Sequence, residues 1–219
     1  MTLSFSFEMP PAVRGSVSAA FTHTPVPRRI IVAISDASGA VYGARLLQVL
    51  RDTPGIESHL IVSSAGWRSI EHELNMDSDF IEDMADQVHD MDDLDTPLAS
   101  ASFGCSGMVI APCSTATLAA VAHGLADNLL TRTADAMLRE RRRLVLLVRE
   151  SPLHLTHLRN MISVTEMGGI ICPPVPAFCL HPQTVGDIVN HSVAHMLDLL
   201  DVPHNLTPRA GDLELAEAA

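Results

Sequence analysis

Three short turns rich in serine, threonine and glycine each follow a predicted buried strand. The first turn contains Ser38 and Gly39, the second begins at Ser63, and the third contains Ser114 and Thr117. Backbone N–H groups at the start of a helix bind phosphate groups, and nearby hydroxyls add donors. Because the carboxyl ends of parallel strands meet at one edge of a sheet, the three turns together predict a mononucleotide phosphate site.

Each turn alone also has an interpretation without a ligand. A tight strand-to-helix connection explains the first turn as well as a phosphate does, and Ser63 equally suits a helix cap. The glycines of the first turn, Gly39 and Gly43, do not have the G-x-G-x-x-G spacing of a dinucleotide site. The agreement of the three turns therefore carries the prediction.

The charged residues narrow the chemistry. The net charge of −12 argues against nucleic acid or an anionic membrane as a partner, because both require a basic face. All 14 basic residues are arginine, so Schiff-base and lysine general-base mechanisms are excluded. The planar fork of arginine suits bidentate contacts to phosphate or carboxylate groups.

Apolar strands alternate with helix-length segments along most of the chain. This alternation predicts a three-layer α/β sandwich with a doubly wound, mostly parallel sheet of the flavodoxin or Rossmann type. One helix is expected between the third turn and the next strand, another from a cap at Ser151, and a last one from Thr184. The acidic stretch 77–95 suggests a helix and a short strand near Val88. The main predicted strands are residues 29–35, 57–63, 107–111, 143–148 and 169–172.

The domain limits follow from composition. One domain is predicted over residues 29–205, between a flexible extension at 1–28 and a flexible tail at 206–219. We expect a cytoplasmic protein, because no secretory signal or membrane-length apolar run is visible and the four cysteines lack C-x-x-C spacing.

No metal site is predicted. His154 with His157, and His191 with His195, have spacings that could place two ligands on one helix face. No carboxylate or cysteine stands at a matching offset, so capping, packing or contacts between subunits explain these histidines better. Cys113 is expected to be a small buried residue.

Six short motifs occur in a distinctive order. They are Ala37-Ser38-Gly39-Ala40 with Tyr42-Gly43, Pro112-Cys113-Ser114-Thr115, Asp127-Asn128-Leu129-Leu130, Arg132 with Ala134-Asp135, Arg149-Glu150, and His157-Leu158 with Asn160-Met161. In this set the chain resembles the UbiX flavin prenyltransferases over residues 29–205, and the resemblance implies that this segment is an FMN-binding domain.

The resemblance implies an activity and a set of roles. Such enzymes join the dimethylallyl group of dimethylallyl phosphate to N5 and C6 of reduced FMN, without a metal, and a UbiD-type decarboxylase uses the product. They are usually homododecamers with sites between subunits. By this resemblance the catalytic residues are Ser38, Glu73 and Glu150; FMN is bound by Ser38, Gly39, Ser63, Ser114, Thr117 and Arg132; and the substrate phosphate is bound by Arg139, Arg149, Glu150 and Cys179.

The chain departs from the family pattern at four positions. Arg139 replaces a lysine, Cys179 a tyrosine, Leu94 a tryptophan and Asp36 a glycine. An FMN-binding protein without prenyl transfer therefore stays open as an alternative, either a flavin-dependent decarboxylase or a non-catalytic FMN carrier. The related cysteine decarboxylases have a histidine shortly before the third turn, but this chain has none between residues 90 and 121.

Overall fold

The computed structural model describes residues 27–100 and 102–207. Most of the predicted extension and tail lies outside these ranges, so their flexibility stays a prediction. Within the described part, no helix is both long and apolar enough to cross a membrane.

Strands and helices alternate through the described residues. The strands are β1 Arg28–Ile34, β2 Ile56–Val62, β3 Gln87–His89, β4 Cys105–Cys113, β5 Arg143–Val148 and β6 Ile170–Ile171. The helices are α1 Ala40–Arg51, α2 Ser64–Leu74, α3 Ser78–Glu82, α4 Thr115–Ala122, α5 Leu129–Arg139, α6 Leu155–Glu166 and α7 Val185–Leu199, with 3₁₀ turns at Pro97–Ala99 and Phe178–Leu180.

The six strands form one parallel sheet in the order β3-β2-β1-β4-β5-β6. This is the strand order of the Rossmann fold, and it confirms the predicted doubly wound α/β architecture. Alternate residues of β1 point to opposite faces, so Ile30 and Val32 pack under α1 and α7, while Ile31 and Ala33 pack under α4 and α5. The order reverses between β1 and β4, and this switch point is where such sheets bind ligands.

Two predicted helix limits were wrong. The single helix expected after the third turn is two helices, because the side chain of Asn128 accepts the N–H of Thr131 and begins α5 anew. The helix expected from Ser151 begins instead at Leu155, where the His154 imidazole accepts the N–H of Thr156. In both cases the side chain that caps the helix lies later in the sequence than the expected start.

Two glycines let helices approach the carboxyl edge of the sheet. A Cβ atom at Gly66 in α2 would lie 2.7 Å from the carbonyl oxygen of Ile34. One at Gly43 in α1 would overlap the carbonyl oxygen of Ala111 and lie 2.8 Å from the Ile34 side chain. No larger residue fits at either position without moving its helix. The N-termini of α1 and α2 are thereby held next to the end of β1.

Candidate functional site

Ser35 joins the two turns on either side of the switch point. Its hydroxyl donates to the carbonyl oxygen of Pro112 at 2.9 Å and accepts the N–H of Ser114 at 2.9 Å. Its own N–H also donates to Pro112, at 3.2 Å. Ser35 is 1% exposed, so these bonds are shielded from water. The turn after β1 and the turn after β4 are therefore one hydrogen-bonded unit.

The carboxylate of Glu73 occupies the N-terminus of α1. One oxygen accepts the N–H groups of Gly39 at 2.8 Å and Ala40 at 3.0 Å, and Gly39 adopts a left-handed conformation with φ of 112°. Partial burial would raise the pKa of Glu73, but the bonds from Gly39, the Ser38 hydroxyl and Ala40, together with the charge of Arg149, outweigh it and lower that pKa. Glu73 therefore stays ionised, and these amides are not free for a phosphate.

The other two turns present open helix N-termini. Ser63 caps α2 by accepting the N–H of Gly66 at 2.9 Å, as one of its two interpretations predicted. Ser114 caps α4 by accepting the N–H of Thr117 at 3.1 Å, and it donates its hydroxyl to the Thr117 side chain at 3.0 Å. The first two N–H groups of each helix have no acceptor within the helix. They can therefore receive an anion.

Arg149 and Glu150 follow β5 at the same edge. The N–H of Arg149 donates to the carbonyl oxygen of Cys113 at 3.2 Å, which holds it against the turn after β4. Among the described residues its guanidinium makes no hydrogen bond or ion pair, yet its charge lowers the pKa of Glu73. Glu150 is exposed and accepts the N–H of Ser151 at 2.8 Å. Arg149 therefore lies beside the turn after β4, and the exposed Glu150 is the next residue of the chain.

Tyr42 and Ser35 are residues at this edge to which the sequence analysis assigned no role. Tyr42 lies on α1. Burial raises the pKa of its phenol, although the side chain of Ser192 and the charge of Arg149 oppose the rise. In the sequence, Ser35 could have been recognised as a site residue because it is a serine directly after an apolar strand. Tyr42 is the only tyrosine of the chain.

The remaining predicted residues do not all reach this edge on one chain. Arg132 is exposed on the second turn of α5. Arg139 ends α5 four residues before β5 begins, so it lies at the amino edge of the sheet, 3.8 Å from Asp135. Cys179 is exposed in the second 3₁₀ turn. Leu94 packs on the core beneath α5. One subunit therefore does not bring Arg139 together with Arg149.

The histidines and buried cysteines have structural surroundings. Within residues 27–100 and 102–207, no three histidine, cysteine, aspartate or glutamate side chains are placed to hold a metal ion. The rings of His154 and His157 stack with centroids 3.6 Å apart, and His154 caps α6. Cys113 is fully buried, as expected, and burial raises the pKa of its thiol.

The carboxyl edge can hold an anion. It combines two open helix N-termini, the exposed Glu150, the ionised Glu73 and Arg149, whose guanidinium has no partner among the described residues.

Known proteins match this chain over most of its length. Residues 19–202 match the Flavoprotein family. Flavin prenyltransferase UbiX of Neisseria meningitidis serogroup B is 51% identical over 175 residues, which are 80% of this chain and 92% of the relative. Flavin prenyltransferase UbiX of Escherichia coli K12 is 48% identical over 184 residues, 83% of this chain and 97% of the relative.

Solved structures agree with the sequence relatives. The structure of AnUbiX (PadA1) in complex with FMN and dimethylallyl pyrophosphate has a TM-score of 0.82 and 44% identity, covering 84% of this chain and 97% of that one. A dodecameric FMN-dependent UbiX-like decarboxylase from Escherichia coli O157:H7 has a TM-score of 0.81 and 42% identity, covering 83% and 98%. The chain therefore belongs to the Flavoprotein family and, within it, to the UbiX flavin prenyltransferases.

Proposed function

We propose that this chain transfers the dimethylallyl group of dimethylallyl phosphate to reduced FMN, giving prenylated FMN for a UbiD-type decarboxylase. The relatives named flavin prenyltransferase and the solved relative that holds FMN and dimethylallyl pyrophosphate support it. The observation in this chain that carries the proposal is the pair Arg149 and Glu150 directly after β5. Within residues 27–100 and 102–207 the Arg149 guanidinium has no hydrogen-bond or ion-pair partner, and Glu150 is exposed.

The phosphate of FMN is assigned to α2 and α4. Their open N–H groups, the capping residues Ser63 and Ser114, and the Thr117 hydroxyl in the first turn of α4 offer donors to an anion, and Arg132 adds a charge from α5. The N-terminus of α1 is closed to a second anion by Glu73. The phosphate therefore binds on the α2 and α4 side, and the flavin ring extends toward Ser38 and Gly39.

The prenyl phosphate is assigned to Arg149 and Glu150. FMN, when bound and reduced, supplies the electron-rich N5 and C6 positions that the prenyl group joins. At the prenyl end the carbon–oxygen bond breaks, and the phosphate leaves with the electron pair. Arg149 offsets the charge on the departing phosphate, and Glu150 can give it a proton.

Ser38 and Glu73 are assigned to proton removal from the flavin. Glu73 is ionised, and the nearby Ser38 side chain is one of the causes that lower its pKa. N5 and C6 would each lose a proton as the two bonds form, while the departing phosphate and the prenyl double bond would each take one up. Ser38 and Glu73 could accept the proton that C6 loses. In this role Glu73 acts as a base. Because its pKa is lowered, the carboxylate holds the proton only briefly before releasing it.

The complete site is assigned to an assembly of copies. Arg139 lies at the opposite edge of its own sheet, so it can reach a substrate phosphate only in the site of a neighbouring copy. Cys179 is exposed, so it can line a phosphate site where a neighbouring copy covers it. The relative that is dodecameric makes such a homo-oligomer the expected form. Two of the four departures from the family pattern, Arg139 and Cys179, then change the lining of a shared site.

The first experiment follows the flavin by mass. Purified protein, reduced FMN and dimethylallyl phosphate are combined without oxygen, and the released flavin is analysed by mass spectrometry. A flavin heavier by one dimethylallyl group is the expected result. Unmodified FMN released from the protein, with an active prenyltransferase working in parallel, would reject the transfer and favour an FMN carrier.

The variant Glu150→Gln tests the assigned acid. It removes the proton donor while keeping the side-chain size, so single-turnover transfer should slow by about 10²–10⁴-fold. FMN affinity should not change, because the flavin phosphate is assigned to α2 and α4. Glu166→Gln, at the far end of α6, is the control and should transfer at the wild-type rate.

A further inference from the structure

Asp36 places an exposed carboxylate in the turn after β1, where the family pattern has a glycine. It is the middle residue of a tight turn, because the N–H of Ala37 donates to the carbonyl oxygen of Ser35 at 2.9 Å. Asp36 is not among the described residues with a positive φ angle, so the backbone does not require glycine here. Within residues 27–100 and 102–207 its carboxylate makes no hydrogen bond or ion pair.

The strand register brings Asp36 beside the N-terminus of α2. Ile34 pairs with Val62 in the parallel ladder, and the N–H of Ser63 continues that ladder by donating to the carbonyl oxygen of Ile34 at 3.0 Å. Asp36 and Ser64, the first residue of α2, each follow this pair by two positions. Because neighbouring strands lie about 4.8 Å apart, the two residues leave the sheet side by side.

Two further contacts connect Asp36 with the helix N-termini assigned to the flavin phosphate. A surface cavity is lined by Asp36 together with Ala65, whose N–H is one of the open donors of α2. On the other side, the preceding residue Ser35 bonds to Ser114, which caps α4. Neither helix has an acidic residue in its first turn, so Asp36 brings a negative charge that these N-termini do not otherwise carry.

Glu73 lines the same cavity, but its charge is already engaged. One of its oxygens accepts the N–H groups of Gly39 and Ala40. Asp36 has no such donor among the described residues, and Arg68 of the same cavity is exposed. The charge of Asp36 is therefore screened by water and salt rather than neutralised by the protein, so its effect on a nearby phosphate should be moderate.

We propose that Asp36 weakens the hold of this protein on the phosphate of FMN and thereby hastens the release of bound flavin. The inference rests on the proposed function, because it takes the position of the phosphate from the assignment to α2 and α4. A carboxylate and a phosphate repel one another. The phosphate is the same before and after prenyl transfer, so the repulsion acts on substrate and product alike. Because the prenylated flavin must leave for a decarboxylase, faster release favours its delivery.

The test compares FMN with riboflavin, which is the same flavin without the phosphate. Asp36→Asn keeps the size of the side chain and removes its charge. FMN should then bind about 5- to 10-fold more tightly and dissociate more slowly, while the affinity for riboflavin should stay the same. Quenching of flavin fluorescence measures the affinities, and stopped flow measures the dissociation rate. The gain for FMN should shrink at high salt.

Asp52→Asn is the matched control. It removes the same charge from an exposed residue at the opposite end of α1, so both affinities should equal those of the wild type. Far-UV circular dichroism should show both variants folded.

The outcomes separate this inference from the proposed function. The inference is overturned if FMN binds Asp36→Asn no more tightly than the wild type, or dissociates from it no more slowly. An equal gain for riboflavin also overturns it, because the effect would not act through the phosphate. Lack of FMN binding by both proteins overturns it together with the assigned phosphate position. Tighter binding and slower release of FMN in the variant support it even if the wild-type protein transfers no prenyl group.

Discussion

Replacing Ser35 by alanine should destabilise the fold by about 1–3 kcal/mol, since one buried donor loses its acceptor. The hydroxyl joins Pro112 and Ser114 across the switch point. Alanine fits the same space, so no cavity term is added. The carbonyl oxygen of Pro112 keeps the N–H of Ser35 as a donor, at 3.2 Å. The N–H of Ser114 has no other acceptor in the variant. The expected loss of stability is therefore that of one unsatisfied buried N–H group, not the sum of two hydrogen bonds.

Urea unfolding followed by far-UV circular dichroism measures this change. The protein concentration is held constant, because assembly contributes to the apparent stability. Ser78→Ala is the control, because the Ser78 hydroxyl bonds only to the neighbouring Asp79 carboxylate, at 3.3 Å, on the surface. It should change the free energy of unfolding by less than about 0.5 kcal/mol. Equal stability of the two variants would refute the argument that Ser35 holds the two turns together.

Three further predictions concern stability and reactivity. Burial is the main cause that lowers the pKa values of His59 and His89 below 6.5, so the unfolded chain binds more protons than the folded chain. The free energy of unfolding should therefore fall as pH drops below about 6.5, and it should fall less in His89→Gln. Equal pH profiles of the wild type and this variant would contradict the prediction. Gly43→Ala should destabilise by about 1–3 kcal/mol, because its Cβ would overlap the carbonyl oxygen of Ala111 and the side chain of Ile34. Gly186→Ala, whose Cβ would have space, should not destabilise; equal urea midpoints would contradict the packing argument. Native protein should react with Ellman's reagent at the exposed Cys179 alone, and at four thiols once unfolded; rapid reaction of a second native thiol would contradict the burial of the others.

Signals that act between nearby residues were readable from the sequence. A serine or threonine cap bonds to an N–H two or three positions ahead, so the helix starts expected at the second and third turns and at Thr184 are confirmed. Asn128 is a cap of the same kind at the start of α5. The prediction treated residues 115–139 as one helix because it took no account of this cap. Apolar runs likewise indicated the strands, because a buried parallel strand is apolar on both faces.

The sequence by itself therefore determined the α/β class, the strand-to-helix turns and, through its ordered motifs, the family. Only the tertiary structure decided which chemistry each turn can offer. Glu73 closes the N-terminus of α1 from 34 positions along the chain, and Arg139 ends at the edge opposite Arg149. Contacts of this kind depend on strand order and helix packing, which sum many weak interactions over the whole domain and leave no local pattern to read.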